Sequence, residues 1–328
     1  MNIYDIAKEA GVSIATVSRV LNNKGTVSAA TRARVEAILK QNNYTPSAIA
    51  RGMVSKSMRT VAVLTVDIRV PHYARTAYTI EREFSRRGYE VILCNTGGDR
   101  AETLRYLQAV NRKQVDGIVL VGSVFDTICQ GSEMEKLLSG VPVVLANGKL
   151  DLPNTYSVTV DDKYGVSLAV EHLVARGRKN IYYIKDRDTD SAKAKRDGFL
   201  EAMRRNGLAF ADHVLEAGET LEDAIGAMQA LLAQGIVPDG IVCGEDLTAA
   251  GALKALLRAG LRVPGQVAVV GFNNSDYAHL CEPALTSVDN KPEQVALLCV
   301  QLLESRIERS EAYSSVVLQP ELAQGETS

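Results

Sequence analysis

From about residue 59 to the end, the sequence alternates short apolar runs with longer amphipathic stretches. The runs TVAVLTV, EVILCN, DGIVLVG and PVVLAN are rich in β-branched residues and end at polar or turn residues, which is typical of buried parallel strands. Between them, stretches such as YARTAYTIEREFSRRG have the apolar spacing of helices. This alternation continues through QVAVVGFNN and predicts doubly wound parallel sheets with helices on both faces.

The carboxyl ends of these predicted strands are candidate ligand-binding positions, because open parallel sheets bind ligands there. The residues at these ends are Asp67, Asn95, Gly122, Asn147, Asp186, Glu245 and Asn273. Strand ends are also polar simply because they meet solvent. The pattern alone therefore leaves open which of them line a site.

The first 45 residues have a different pattern, that of three short helices. Asn2 and Asp5 stand in the relation of an N-cap and the third helical residue, and Gly11 supplies a stop. Ser13 and Ser28 are suited to cap the next two helices. A short turn containing glycine between the first two helices predicts a helix-turn-helix.

The second of these helices would enter the major groove of DNA and present its outward residues to it. We expect base-edge contacts from Ile14, Ala15, Thr16, Ser18 and Arg19, and phosphate contacts from Ser13, Thr16 and Asn22. A small helical bundle whose polar face is only solvated fits the same spacing.

Charge is distributed unevenly along the chain. Residues 1–60 contain nine Lys and Arg against three acidic residues, or 9 − 3 = +6, which leaves −2 − 6 = −8 for the remainder. A basic head on an acidic body is consistent with a polyanionic partner. An ordinary solvated surface explains the charge equally well.

The composition of the 328 residues, 46% hydrophobic and 23% charged, is that of a globular protein. No export signal opens the sequence and no apolar run is long enough to span a bilayer, so we expect a cytoplasmic protein. Five widely spaced cysteines in mostly apolar surroundings predict buried reduced thiols. The four histidines lack metal-site spacing, so we expect no metal and no cofactor.

The segment YTPSAIARGMVSKS is too apolar and too basic for an ordinary linker. It follows IYDIAKEAGVSIATVSRVLNN and VSAATRARVEAILKQNNYTPSAIARGM, which together resemble the DNA-binding head of the lactose/galactose repressor (LacI–GalR) family. The resemblance implies a head over 1–45 and a hinge helix over 46–58 that enters the minor groove when two subunits bind DNA. The residues it assigns to that groove are Ala48, Ile49, Arg51 and Met53, with Met53 as the apolar wedge that relatives make with leucine.

The resemblance extends over essentially the whole body, 59–328, through VDGIVLVG, VPVVLANG, VTVDDKYG and VAVVGFNNSDYA. It implies two halves like those of periplasmic solute-binding proteins, 59–160 with 289–315 and 161–288 with 316–328, and an effector in the cleft between them. The effector-binding residues carried over by this resemblance are His72, Tyr73, Asn147, Lys195, Glu245, Asn273 and Asn290.

Several of these residues depart from the family pattern. Lys195 stands where many relatives have arginine, Asn147 and Asn273 where aspartate is common, and Glu245 where asparagine is usual. A lysine cannot reproduce the bidentate fork of arginine. Either the pocket prefers something other than a typical hexose, or it has diverged without a change of preference.

The resulting expectation is a ligand-controlled repressor that binds a palindromic operator as a homodimer and changes its DNA affinity when a small molecule, such as a sugar or sugar derivative, closes the cleft. The chain ends without an apolar heptad tail, which favours a dimer over a tetramer. Whether the effector releases or recruits DNA is left open. So is control of a degenerate pocket by a protein corepressor.

Three other classes of protein are less consistent with the sequence. An enzyme is disfavoured because no GxSxG, GxxxxGK[ST] or early GxGxxG motif is present, and Asp161–Asp162 has the pattern of a helix start. A solute-binding protein would need an export signal and no DNA-binding head. An architectural DNA protein would not need a large cleft-forming body.

Overall fold

The computed structural model describes residues 2–21, 25–42, 57–310 and 315–328. The chain divides into two compact units, Met1–Arg59 and Thr60–Ser328. We call them the head and the body. Asn22 and residues 46–56 of the predicted hinge helix, including Ala48, Ile49, Arg51 and Met53, lie outside the described residues.

The described residues of the head form three helices, α1 (Ile3–Ala10), α2 (Ile14–Leu21) and α3 (Ala29–Gln41). The predicted capping box opens α1: the Asp5 amide donates to Asn2 Oδ1 at 3.1 Å and the Asn2 amide to Asp5 Oδ2 at 2.9 Å. Gly11 ends this helix with a φ of 61°, a conformation that favours glycine. The three helices bury a small common core, which consists of Ile6, Ala7, Ala10, Val17, Val20 and Val35.

The body contains two six-stranded sheets flanked by ten described helices. The helices are α4 (Pro71–Arg86), α5 (Arg100–Arg112), α6 (Phe125–Ile128), α7 (Ser132–Leu138), α8 (Asp162–Ala175), α9 (Asp190–Arg205), α10 (Leu221–Ala233), α11 (Asp246–Arg258), α12 (Asp276–Leu280) and α13 (Pro292–Ile307). The strands of the first sheet are β1 (Thr60–Thr65), β2 (Glu90–Asn95), β3 (Gly117–Val121), β4 (Val143–Ala146), β5 (Thr155–Val160) and β11 (Ser315–Leu318). Those of the second are β6 (Ile181–Lys185), β7 (Val214–Glu216), β8 (Gly240–Cys243), β9 (Ala268–Phe272), β10 (Thr286–Asp289) and β12 (Glu321–Ala323).

Both sheets have the same doubly wound order. The first runs β2-β1-β3-β4-β5-β11 and is parallel throughout, and the second runs β7-β6-β8-β9-β10-β12 with only the last strand antiparallel. In each sheet the winding reverses beside its first strand, between β1 and β3 and between β6 and β8. The predicted fold class is confirmed, and each sheet has one topological switch point.

The chain crosses between the halves three times. It leaves the first sheet after β5, returns after β10 to form α13, and crosses finally between β11 and β12. The sequence predicts that residues 316–318 belong to the second half. This is wrong, because β11 pairs with β5 and these residues therefore belong to the first half. The last crossing therefore falls three residues later, where the chain can leave one sheet edge and join the other.

The core of each half forms on both faces of its sheet. In the first, the strands pack against α4 and α13 through residues such as Ile80, Phe84, Cys299 and Leu303. All five cysteines are free and four are buried. Within the described ranges, no helix has the length and apolar character needed to cross a membrane.

Candidate functional site

The head presents one polar face on α2. Val17 and Val20 are buried, whereas Ile14, Ala15 and Arg19 are exposed on the other side of the helix. Ser13 caps α2 by accepting from the Thr16 amide at 3.2 Å, and the two hydroxyl groups lie 2.9 Å apart. Ser18 is half-buried. These exposed residues form a continuous surface at the start of a recognition-type helix.

The body encloses a cavity where the two sheets face each other. Its lining comes from the residues after β1, β3 and β4 in the first half and after β6, β8, β9 and β10 in the second. The cavity therefore lies at both switch points, where side chains from neighbouring loops converge. Its volume is about 60 Å³, so the halves are closed on each other.

Three polar side chains form a chain of contacts across this cleft. The Asn290 amide donates to Asn273 Oδ1 at 2.8 Å, and Asn273 Nδ2 lies 3.5 Å from His72 Nδ1. His72 Nδ1 also lies 3.4 Å from Glu245 Oε1. One nitrogen cannot accept from the amide and donate to the carboxylate at once. The tautomer of His72 therefore decides which contact between the halves is a hydrogen bond.

The imidazole of His72 is neutral in this closed state. Burial, with Arg187 and Lys195 nearby, lowers its pKa from 6.5 to about 3. Its contact with Glu245 is accordingly not an ion pair. The adjacent Tyr73 ring lies 4.0 Å from the imidazole, and burial raises its phenol pKa to about 12.

Close approach of Tyr73 to the first sheet depends on Gly122. This glycine has a φ of 122°, and a Cβ atom there would lie 2.9 Å from the Tyr73 ring. Any larger residue would push the ring into the cavity. The sequence therefore provides space for an aromatic wall beside the neutral imidazole.

Arg187 is the charge centre of the second half. Its guanidinium lies 3.4 Å from Asp186, 3.8 Å from Glu245 and 3.5 Å from Glu219. Burial would lower its pKa, but these carboxylates outweigh burial and raise it. For Asp186, burial and the charge of Glu245 together raise the pKa. The cluster holds carboxylates that the single guanidinium only partly compensates.

Lys195 lies on α9 with its ammonium group buried. The group donates to the Gly244 carbonyl at 3.0 Å and lies 3.8 Å from the centre of the Phe272 ring. A carbonyl and an aromatic face both attract a cation. Lys195 is thus held in the wall, while its neighbour Arg196 is half-buried and pairs with Asp197.

The structure brings all the predicted effector residues of the body together around this cavity. They are His72, Tyr73, Asn147, Lys195, Glu245, Asn273 and Asn290. Of the other predicted strand ends, Asp67 pairs with Arg69, and Asn95 accepts from the Ile68 amide at 2.8 Å. Neither lines the cavity.

Sequence reasoning missed other lining residues, notably Asp162, Arg187 and Ser191. The pair Asp161–Asp162 does start a helix, as predicted: Asp161 caps α8 by accepting from the Tyr164 amide at 2.9 Å. Asp162, however, lines the cavity and accepts from Ser191 at 2.6 Å. The sequence signal that could have identified Asp162 is its position on the first turn of α8, directly after the chain crosses from the first sheet to the second half.

A helix-turn-helix head joined to a two-sheet body with a polar cleft defines a ligand-responsive, DNA-binding transcription regulator. Residues 2–47 match the bacterial regulatory proteins of the lacI family, and residues 170–328 match the periplasmic binding protein-like domain. An HTH-type transcriptional regulator of Lachnoclostridium phytofermentans is 34% identical over 92% of this chain and 92% of its own. The chain belongs to the lacI family, whose members are regulators and not enzymes.

A further relative and a solved structure are also similar to this chain. The ribose operon repressor of Halalkalibacterium halodurans is 34% identical over 94% of this chain and 90% of its own. The lac repressor dimer bound to operator and the anti-inducer ONPF has the same fold, with a TM-score of 0.88, 24% identity, and coverage of 100% and 98% of the two chains. A solute-binding protein is not favoured, because the matched head is a regulator's.

Proposed function

We propose that this regulator represses transcription as a homodimer on a palindromic operator, and that a small molecule in the cleft controls its DNA affinity. The observation that carries the proposal is the convergence of seven effector residues, predicted from resemblance, on one cavity between the two halves. A ligand held by both halves links their relative position to its own binding. Because the operator DNA lies in the cytoplasm, the proposed function requires the protein to act there.

The exposed face of α2 supports the DNA contacts we assign to it. Arg19 can read guanine with its bidentate fork, and Ile14 and Ala15 can meet thymine methyl groups. Ser13 and Thr16 position the helix on phosphates. Ser18 joins the base-contacting set, and Asn22 and the hinge residues Ala48, Ile49, Arg51 and Met53 retain the roles predicted from sequence.

Exposed apolar side chains at one sheet edge support the homodimer. The edge strand β2 exposes Leu93, and α4, which packs beside it, exposes Tyr78 at 60%. Exposed apolar groups on an edge strand and its neighbouring helix suit a second copy of the chain.

The size of the cavity bears on how an effector enters. Ligand pockets have volumes of about 300–1,000 Å³, several times the volume of this cleft. The halves must therefore part to admit a molecule of sugar size and then re-form contacts around it. Only a ligand that binds one arrangement of the halves more tightly than the other can shift the equilibrium. A sugar or sugar derivative is the first class to test, since one relative is named for the ribose operon.

The test is selection of binders from a random double-stranded DNA library by the full-length protein. We expect one palindrome to be enriched. Arg19→Ala should weaken binding to it by about 1–3 kcal/mol and relax the preference at one base pair of each half-site. Arg19→Lys should keep salt-dependent binding but lose that preference, because lysine lacks the bidentate fork.

The matched control is Arg112→Ala, which removes the same charge from an exposed helix of the body. It should enrich the same palindrome as the unmodified protein. Binding without any sequence preference by the unmodified protein would contradict the operator proposal. An equal loss in the Arg19 and Arg112 variants would contradict the role of Arg19.

A further inference from the structure

The cavity between the halves contains more negative than positive side chains. Its charged lining residues are Asp162, Asp186, Glu245, Arg187 and Lys195, which is three carboxylates against two cations. His72 adds no charge, because its imidazole is neutral. The wall therefore has a formal surplus of one negative charge.

Both cations already have partners. Lys195 donates to a backbone carbonyl and lies over the Phe272 ring, and Arg187 lies among three carboxylates. An incoming phosphate or carboxylate would have to compete with these partners. It would also be brought close to the three acidic side chains of the wall.

Asp162 is the carboxylate that lacks a cation. Its hydrogen bond comes from the Ser191 hydroxyl at 2.6 Å, and no Lys, Arg or His nitrogen of the described chain lies within 4.0 Å of it. Burial raises the pKa of this carboxyl group, while the more distant Lys195 lowers it only in part. Taking a carboxylate out of water without a cation is costly, and a protonated amine would offset that cost.

The unpartnered buried atoms of the wall are a second, independent observation. Asn290 is 6% exposed, and its Oδ1 atom has no hydrogen-bond partner. Asn147 Oδ1 is likewise buried without a partner. Both are acceptor atoms on residues that line the cavity, so each is suited to accept a hydrogen bond from a bound molecule. Amines and hydroxyl groups of a ligand would donate these hydrogen bonds.

Building on the proposed function, we propose that the effector is a small polyhydroxylated molecule with a protonated amine, such as an amino sugar or amino polyol. The ammonium group lies against Asp162, and hydroxyl groups donate to the asparagine oxygens and to the remaining carboxylates. Sugar phosphates and sugar acids are rejected. The preference rests on the Asp162 carboxylate, which has no cation of the described chain beside it, and on the two unpartnered asparagine oxygens.

The test measures binding to the full-length protein at neutral pH by calorimetry, using series that share a carbon skeleton and differ in the charged substituent. The three series are glucosamine, glucose and glucose 6-phosphate; galactosamine, galactose and galactose 6-phosphate; and 1-amino-1-deoxysorbitol, sorbitol and sorbitol 6-phosphate. We expect at least one amine to bind about 10-fold or more tightly than its neutral parent, and the phosphates to bind more weakly than either.

Two variants locate the preference. Asp162→Asn retains an acceptor for Ser191 but removes the charge, so the amine should lose its advantage of about 10-fold while its neutral parent binds nearly as before. Asp161→Asn removes the neighbouring charge at the N-cap of α8, where asparagine caps equally well, and should leave the preference intact. Circular dichroism checks that both variants are folded.

Three results would overturn the proposal: a phosphate or neutral parent that binds more tightly than its amine, an amine preference that survives Asp162→Asn, or no binding by any member of the three series. Failure of the proposed function has a separate signature in the operator selection. If a neutral or anionic sugar alters operator binding, the regulator proposal stands and the amine proposal falls. If no operator is selected, the regulator proposal fails whatever the cavity binds.

Discussion

Acidification should weaken the closed body through one side chain, His72. Its pKa is about 3 in the fold against an ordinary value of 6.5, because the imidazole is buried and lies near Arg187 and Lys195. As the pH falls below 6.5, the unfolded chain binds a proton on this residue that the closed fold does not. The contribution of His72 to stability is therefore complete above pH 6.5 and is lost as the pH falls.

The magnitude follows from the interval between the two protonation equilibria. At about pH 5 the medium is about 1.5 pH units below the ordinary pKa, which corresponds to about 2 kcal/mol. Asp162 and Asp186 act in the opposite direction, because their raised pKa values make the fold take up protons as the pH falls. The unmodified protein alone cannot separate these contributions. The variant His72→Asn removes one titration and keeps a polar side chain beside Asn273.

The assay is urea unfolding of both full-length proteins at about pH 7.5 and about pH 5. The unmodified protein should lose about 2 kcal/mol more than His72→Asn between these conditions. If the cleft opens in acid and exposes the imidazole, the loss of unfolding free energy cannot exceed the free energy needed to open the cleft. The same pH dependence in both proteins would refute the reasoning, since it would mean that the imidazole is not enclosed.

Three other predictions concern stability. Gly198→Ala should destabilise the body by about 3 kcal/mol in urea unfolding, because its Cβ would lie 2.3 Å from the Lys163 carbonyl oxygen between α8 and α9. The control Gly226→Ala, whose Cβ meets nothing within 4 Å, should instead stabilise the body by about 0.5–1 kcal/mol. Similar changes in the free energy of unfolding for the two variants would contradict this packing. Burial raises the pKa of Asp126 to about 7, so the fold loses stability as the pH rises from about 4 to 7. Asp126→Asn should remove about 1–2 kcal/mol of that loss between about pH 5 and 8 in urea unfolding. An unchanged pH dependence would contradict the burial of this carboxyl group. Asn2→Ala should lower head stability by about 1 kcal/mol by thermal unfolding, as it removes both Asn2 side-chain bonds of the cap, whereas Asn2→Asp should be nearly neutral.

The elements most readily predicted from sequence were those controlled by neighbouring residues. The cap of α1 and its end at Gly11 depend on bonds within a few positions, and most of the apolar strands are buried as their β-branched runs indicated. The prediction is wrong for EVILCN, which forms the edge strand β2 with only Cys94 buried, because its position at the edge of the sheet is set by the topology. The helix-turn-helix is similarly local, since three short helices share one small core. Resemblance then added the set of effector residues, which no spacing along the chain could have selected.

The arrangement of the cleft depended on contacts between distant parts of the chain. His72 and Asn273 are 201 residues apart in sequence and meet because both sheets turn their switch points toward one cavity. Asp162 had the pattern of an ordinary helix start, and its role in the wall follows from the crossing after β5. The assignment of β11 likewise depended on which sheet edge was free to pair.

By itself, then, the sequence determined the helical head, the alternating strands and helices of the body, and the family to which they belong, because these follow from local periodicity and short motifs. Only the tertiary structure decided that His72 is neutral, that Asp162 lacks a cation and that Asn290 has an unpartnered oxygen. Each of these depends on burial and on the groups packed around the side chain, which are set by the fold and not by position along the chain. For His72 those groups include Arg187 and Lys195 from the opposite half of the body.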